Sequence, residues 1–505
     1  MKRIFITAII MIGLLEAAIA FAGWSEDIRL TYRGYEIHPQ VIARNDTVHV
    51  AWHQIAGDMH ISYNQSRDGG EHWEGVWDLE DLGHHGSRLS LSLDSAGIFI
   101  GWFDINTNPV NWVSNIAFSA SSDGGVWSSP RYVYPDTLRD HPNRALSIIN
   151  NLDSIYIVYN GAENDSTGNN PINFLFSSDR GQTWSQEVTI GHTLYYTNPL
   201  QIAKCGGLLY IVWSGDCPPI IFNREVIGAI SRDGGQSWSE PFLISSEDRF
   251  VAQHSCVACD EETGYFAVGW MDFTFSGGFP GDLFVRLTTD GGINWSEIHY
   301  ATNHHKVASP QIAIRGDSLY AVWSDQDIRQ GSYNPEICFS QSSDLGISWS
   351  PYERLTFMEG WSETPWISYD RAKLHLVWYD DNPPPDSGCD IYYKRYDPEP
   401  DAVDESHAPL PQTANLSAYP NPFNSSTIIT YSNFKGGEIE VFDIEGQLIR
   451  TFFTGGENEG RIKWDATDAS GKKVSSGIYF ARARYGSKAT SASHISQTLK
   501  LVFLK

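Results

Sequence analysis

Histidines, arginines and aromatic residues gather in the short stretches that precede a series of regularly spaced apolar strands. His38, His84, His85, His141, His192, His254, His304 and His305 fall there, half of the chain's 16 histidines. Tyr35, Arg88, Arg144, Tyr195, Tyr196, Asn198, Trp361 and Glu363 lie in the same stretches. A guanidinium donates paired N–H groups to a carboxylate or sulfate, and an aromatic ring with a polar tip suits a sugar face. Brought to one pocket, such a set would hold an acidic or sugar-like ligand. The candidate ligand-binding residues are Tyr35, His38, His85, Arg88, His141, Arg144, Asn198, His254, His305, Trp361 and Glu363. They come from different segments and show no metal-ligand spacing, so neither a metal nor a cofactor is expected.

A second set follows the strands. Asp104, Asp216, Asp272, Asp325 and Asp380 each lie within three residues of a strand-ending tryptophan. A glycosidase needs one or two tuned carboxylates. Recurrence after five of these strands instead points to a repeated turn cap.

Two repeats must position these groups. Ser66-Arg-Asp68-Gly-Gly70-Glu-His-Trp73 recurs with its aspartate at 123, 179, 233, 290 and 344, at intervals of 54 to 57 residues. Ser and Asp accept from turn amides, Gly supplies the positive φ, and Trp is expected to pack back on its sheet. Before each turn comes a strand ending in an aromatic: Trp52, Trp102, Tyr159, Trp213, Trp270, Trp323 and, last, Trp378. Seven strands against six turns leave one partner missing. Trp24-Ser25-Glu26 matches the segment after each turn, so the start of the mature chain should complete the last sheet, beside residues 391–393.

A period of about 55 residues holding four short strands is the size of a propeller blade. The expected fold class is all-β: a seven-bladed β-propeller, with six blades as the alternative, plus a small immunoglobulin-like β-sandwich. The turns would share one face. The stretches opening the inner strands and the loops after the aromatic-ended strands would share the other, around a central funnel.

These turns resemble the Asp boxes (BNR repeats) of sialidase-like propellers, and the resemblance covers residues 23–397. It implies the architecture; the motif occurs on sialidases, other glycosidases and non-enzymatic binding propellers. The family's Arg-Ile-Pro is absent. Arg88-Leu89-Ser90 is nearest, yet its blade has Asn111 and Asn115 where the catalytic Asp is wanted. Asp58 precedes a third strand, but its blade opens with His38-Pro39. Catalytic residues are therefore left unassigned.

Residues 398–416 contain four prolines and read as a linker. From 417 the pattern is β again. Tyr419-Pro-Asn-Pro-Phe-Asn424, Val441-Phe-Asp-Ile-Glu-Gly446, Trp464-Asp465, Gly471, Ser476-Gly477-Ile-Tyr479 and a basic-ended final strand resemble the type A C-terminal sorting domain of type IX secretion. That resemblance implies recognition by outer-membrane secretion machinery, reached through the periplasm of a Gram-negative-type bacterium, and a secreted or surface location. Residues 1–22 read as a signal peptide, with a basic start and an apolar run too short to span a bilayer; no transmembrane segment is expected.

Net charge is −26, from 35 Lys+Arg against 61 Asp+Glu, which argues against nucleic acid as partner. The tail is mildly basic, with 11 Lys+Arg and 8 Asp+Glu, so the negative balance belongs to the repeats. Six cysteines suit an oxidising compartment without specifying a pairing. Cys256-x-x-Cys259 lies in an expected strand, where residues three apart face opposite sides, so it is not a metal or redox pair. The function expected is a secreted or surface propeller that binds an extracellular ligand, a glycan. A sialidase-type glycoside hydrolase is the first alternative and a surface adhesion or structural protein the second.

Overall fold

The computed structural model describes residues 23–397 and 415–504. Excepted are 33, 56–59, 80–84, 107–112, 134–144, 162–169, 194–198, 217–223, 249, 276–280, 303–305, 327–333, 358–359, 372 and 383–387 in the first part. In the second, 433–436, 445–446, 455–458 and 486–494 are excepted. The signal-peptide reading, and the linker up to 414, lie outside the described residues. The chain divides into two compact units, residues 1–400 and 401–505. Among the described residues every regular element is a strand, and no helix is long and apolar enough to cross a membrane.

Among the described residues the first unit holds seven antiparallel sheets. Blade 1 runs from its inner strand Glu36–Arg44 through Thr47–Gln54 and His60–Ser66 to the short outer strand Trp77–Asp78. Blades 2 to 6 repeat this order, with inner strands His85–Asp94, Leu146–Asn151, Leu200–Cys205, Ala252–Asp260 and Val307–Arg315. Blade 7 has Ser362–Asp370, Lys373–Asn382 and Gly388–Asp397. Its outer position is filled from the start of the chain, Gly23↔Asp397 and Trp24↔Tyr396, then Ile28↔Tyr393 and Arg29↔Tyr392. Trp24 thus docks three residues beyond the expected 391–393, and Ile28–Arg29 take the places beside 392–393. Each inner strand lies against the next, and the seventh against the first, so the ring is closed without long exposed edges.

The six turns form as their residues dictate. Ser66 Oγ donates to Asp68 Oδ1 (2.8 Å) and accepts the Gly70 amide (2.9 Å), while Asp68 Oδ1 accepts the His72 amide (2.9 Å). The same set recurs at Asp179, Asp233, Asp290 and Asp344. In the shortened copy, Ser121 and Asp123 accept the Gly124 and Gly125 amides.

The turn tryptophans do something other than expected. Four of them meet an aromatic ring of the preceding blade. Trp73 meets Tyr393 of blade 7 (4.9 Å between ring centroids), Trp127 meets Tyr63 of blade 1 (4.9 Å), Trp184 meets Phe118 of blade 2 (5.7 Å) and Trp238 meets Phe174 of blade 3 (4.9 Å). The turn glycines sit against the same rings. A Cβ on Gly70 would lie 2.0 Å from Tyr393 Oη, and one on Gly235 2.4 Å from Phe174 Cζ, so glycine is required by contact as well as by φ of +91°. The turn motif therefore seals blade to blade. Trp52, Trp102, Tyr159, Trp213, Trp270, Trp323 and Trp378 are all buried between sheets.

The second unit is a sandwich. One sheet is Asn415–Tyr419, Thr427–Ser432 and Glu459–Trp464; the other is Leu448–Phe453, Gly437–Asp443, Gly477–Tyr485 and Ile495–Phe503. Its first strand includes Asn415 and Leu416, which the sequence reading placed in the linker. Tyr419-Pro-Asn-Pro-Phe-Asn424 earns its place structurally: Asn421 Nδ2 donates to Lys500 O (2.7 Å) and Asn421 Oδ1 accepts the Val502 amide (2.8 Å). Phe423 is buried against Trp464 and Phe503, so this motif locks the first turn to the last strand.

Candidate functional site

The inner strands begin on the face opposite the Asp boxes, and five of them begin with the same irregularity. Strand register slips between Ile37 and Gln40, Ser87 and Ser90, Gln253 and Cys256, Ala308 and Gln311, and Glu363 and Trp366. At the slip His38, Arg88, His254, Ser309 and Thr364 have φ between 47° and 55°. A left-handed non-glycine residue at a β-bulge is uncommon, and bulges re-aim side chains. All five residues line one cavity of about 290 Å³ on the ring axis. Blades 3 and 4 place Ala145 and Pro199 at the corresponding positions. Proline cannot take positive φ.

Two residues further on, four of the strands carry a polar side chain that ties them to the next. Gln40 Oε1 accepts the Leu91 amide (2.9 Å), Ser90 Oγ the Ile148 amide (2.9 Å), Ser147 Oγ the Ile202 amide (3.3 Å) and Gln201 Oε1 the Val257 amide (3.0 Å). Inner strands of different blades share no main-chain ladder, so their buried amides need such partners. This belt forms the cavity floor, where Gln201 Nε2 also reaches Gln311 Oε1 at 3.4 Å. Pro39, Pro310, Pro365 and Trp366 add an apolar wall.

The charged and titratable groups cluster on one side. Arg88, His38 and His53 line the wall of blades 1 and 2, with the two imidazoles 6.0 Å apart. His53 Nε2 accepts the Leu89 amide (2.9 Å), which leaves its proton on Nδ1. Burial pushes His38 down to about 4, helped by Arg88, and burial with Arg224 does the same to His254. Both rings are neutral at neutral pH and act as hydrogen-bonding groups. Arg88 is the cation of the cavity. Burial lowers its pKa, and among the described residues no carboxylate pairs with it.

Of the expected ligand residues, His38, Arg88 and His254 come together here. Tyr35 and Trp361 are exposed outside the cavity, and Glu363 is also off its wall, accepting the Tyr379 hydroxyl at 2.6 Å. His85 pairs with Ile105 at the start of its strand. His141, Arg144, Asn198 and His305 lie outside the described residues. The sequence reading missed His53, Gln40, Gln201, Gln311 and Trp366. A signal existed for most of them: each belt position pairs with the residue just before a strand-ending aromatic, as in Gln40↔Ala51 and Gln201↔Val212.

The aspartates after the aromatic strands are buried supports, as their recurrence suggested. Asp272 Oδ2 accepts the Trp270 indole N–H (2.9 Å) and its Oδ1 the Thr274 amide (2.9 Å); Asp325 Oδ2 accepts the Trp323 indole (3.4 Å). Asp272, Asp325 and Asp380 each stand directly across from a second buried acid, Asp282, Glu336 and Asp390. A Ser or Thr hydroxyl from the outer segment holds each of these, and Glu225 in blade 4 likewise, while Arg354 and Arg29 pair with Glu336 and Asp390.

Residues 417–497 match the secretion system C-terminal sorting domain. The C-terminal unit is that sorting domain, and it directs the chain by the type IX route to the cell surface or exterior. No curated protein matches the chain in sequence. Among solved structures, an ulvan lyase of polysaccharide lyase family PL25 aligns at TM-score 0.51 and 11% identity, covering 72% of this chain and 95% of that one. A protein of unknown function from Dyadobacter fermentans aligns at TM-score 0.45 and 14% identity over 75% and 100%. The NanB sialidase of Streptococcus pneumoniae aligns at 0.40 and 13% over 72% and 68%. At such identities the likeness concerns the fold, which hosts several chemistries.

Proposed function

We propose that the exported ring is a carbohydrate-binding propeller whose funnel takes an acidic sugar of an extracellular glycan. Arg88 carries this reading. A half-buried guanidinium, aimed by a bulge into a closed-ended cavity and without a carboxylate partner among the described residues, costs desolvation that an anionic ligand would repay. His38, His53 and His254 supply neutral hydrogen-bonding edges around it, and Trp366 with the prolines supplies an apolar face for a sugar ring. Binding should be measured on uronate-containing, sulfated, sialylated and neutral oligosaccharides. Acidic members should bind, and Arg88→Ala should weaken them at least about tenfold, the usual worth of a charged hydrogen bond. Affinity should stay level from pH 6 to 8, because burial holds His38 and His254 down to about 4 and His53 well below the usual imidazole range. Equal binding of neutral glycans, indifferent to Arg88→Ala, would sink the proposal.

One observation favours a glycoside hydrolase as the second reading. Tyr379 Oη donates to Glu363 Oε2 at 2.6 Å, and the Tyr379 ring stands 6.3 Å from His38. A tyrosine activated by a glutamate is a competent nucleophile pair. Release of sugar from aryl glycosides, abolished by Tyr379→Phe, would establish turnover in place of simple binding.

A further inference from the structure

The inner strands of blades 4 and 5, Leu200–Cys205 and Ala252–Asp260, run side by side without a main-chain ladder. Near their ends, on the Asp-box side, Cys205 and Cys259 meet. Each thiol donates to a main-chain carbonyl of the other strand. Cys205 Sγ lies 2.9 Å from the Asp260 carbonyl, and Cys259 Sγ 2.9 Å from the Lys204 carbonyl. The contact is reciprocal, each sulfur resting on the backbone beside the other cysteine. Both belong to one apolar cluster with Ala203, Tyr210, Ile230 and Phe266. Cys256, three residues from Cys259, turns away and donates to its own blade at Gly269 O.

We propose that Cys205 and Cys259 are oxidised to a disulfide that staples blade 4 to blade 5 in the exported protein. A chain whose sorting domain is read at the outer membrane has left the reducing cytoplasm, where such bonds do not persist, for compartments where they do. The oxidant is the disulfide of a thiol–disulfide oxidase. One cysteine thiolate attacks it, forming a mixed disulfide and releasing the oxidase's second sulfur. The other thiolate then attacks the mixed disulfide at the sulfur of its partner and expels the oxidase as a dithiol. Two electrons and two protons leave the pair. Cys205 suits the first attack, since the neighbouring Cys259 holds its thiol below the usual range.

The test uses the full chain recovered after export, denatured without reductant, alkylated and digested. The expected product is one cross-linked peptide pair containing Cys205 and Cys259, two hydrogens lighter than the separate peptides, with Cys256 and Cys338 alkylated. Alkylation of both Cys205 and Cys259, or a bond from either to another cysteine, would overturn the proposal. Stability gives a second readout. Reductant should lower the melting temperature of the native protein by several degrees, and should leave a Cys205→Ser, Cys259→Ser protein unmoved. Should that variant not fold, the native protein with and without reductant still decides, and a melting temperature indifferent to reductant would refute the staple.

Discussion

Blades 2, 4, 5 and 6 carry aspartates at both ends of their sheets, and around the ring the two ends use them in opposite ways. On the Asp-box face Asp179 is only half-buried; the Thr183 hydroxyl and amide, with Ser177, hold its carboxyl down to about 2. On the funnel face Asp380 is buried beside Asp390, and burial pushes it up to about 6; burial pushes Glu225 to about 8. One residue type thus works as a solvated turn acceptor at one end and as a buried, proton-retaining support at the other. Burial makes the difference, since desolvation penalises the charged form while turn amides favour it.

The largest expected effect tests what the Asp-box face is for. Gly235→Ala places a Cβ on Phe174 of the preceding blade and should cost roughly 2–4 kcal/mol in denaturant unfolding. Gly264→Ala, also at positive φ but with nothing within 4 Å, should cost only about 1–2 kcal/mol. Equal costs would mean that the turn shapes its own blade and does not seal it to the preceding one.

The next test concerns the funnel face. An unfolded glutamate titrates near 4 and the folded Glu225 near 8, so the folded state keeps a proton that the unfolded state releases. Glu225 therefore costs stability progressively as pH rises from 4 to 8. Glu225→Gln should leave the melting temperature nearly unchanged at pH 4 and raise stability by on the order of 1–2 kcal/mol above pH 8. Parallel pH profiles for the two proteins would erase the contrast between the faces.

Asp179→Asn should give the smallest and opposite effect. The folded carboxyl, at about 2, loses its proton before the unfolded one near 4, so its stabilisation is complete above pH 4. It fades as pH falls through 2. The variant should melt below the native protein at pH 7 and converge with it in acid.

Much of this contrast was legible in the chain. The Asp boxes, the strand-ending aromatics and the closing of blade 7 by Trp24 rest on local turn chemistry repeated at a constant interval. Repetition gives each weak signal several independent readings. The funnel was legible only in part. His38, Arg88 and His254 reach the cavity, whereas Tyr35 and Trp361 from the same stretches point elsewhere. A bulge shifts the side-chain alternation of a strand by one, and the residues flanking it do not announce where it falls. The turn tryptophans misled for a related reason, because their partners lie one blade back, more than 50 residues away in most cases.

Order along the chain settled what short segments decide alone: which residues turn, which alternate into strands, and which tail motif closes the sandwich. Hydrogen bonds between near neighbours supply most of that energy. Assembly of the ring settled the rest. Only with blades side by side do the Gln40 and Gln201 amides find their acceptor role, Arg88 lose its water, and Cys205 meet Cys259. Burial and proximity across blades belong to no single segment, and they are what turn a repeated strand pattern into a site.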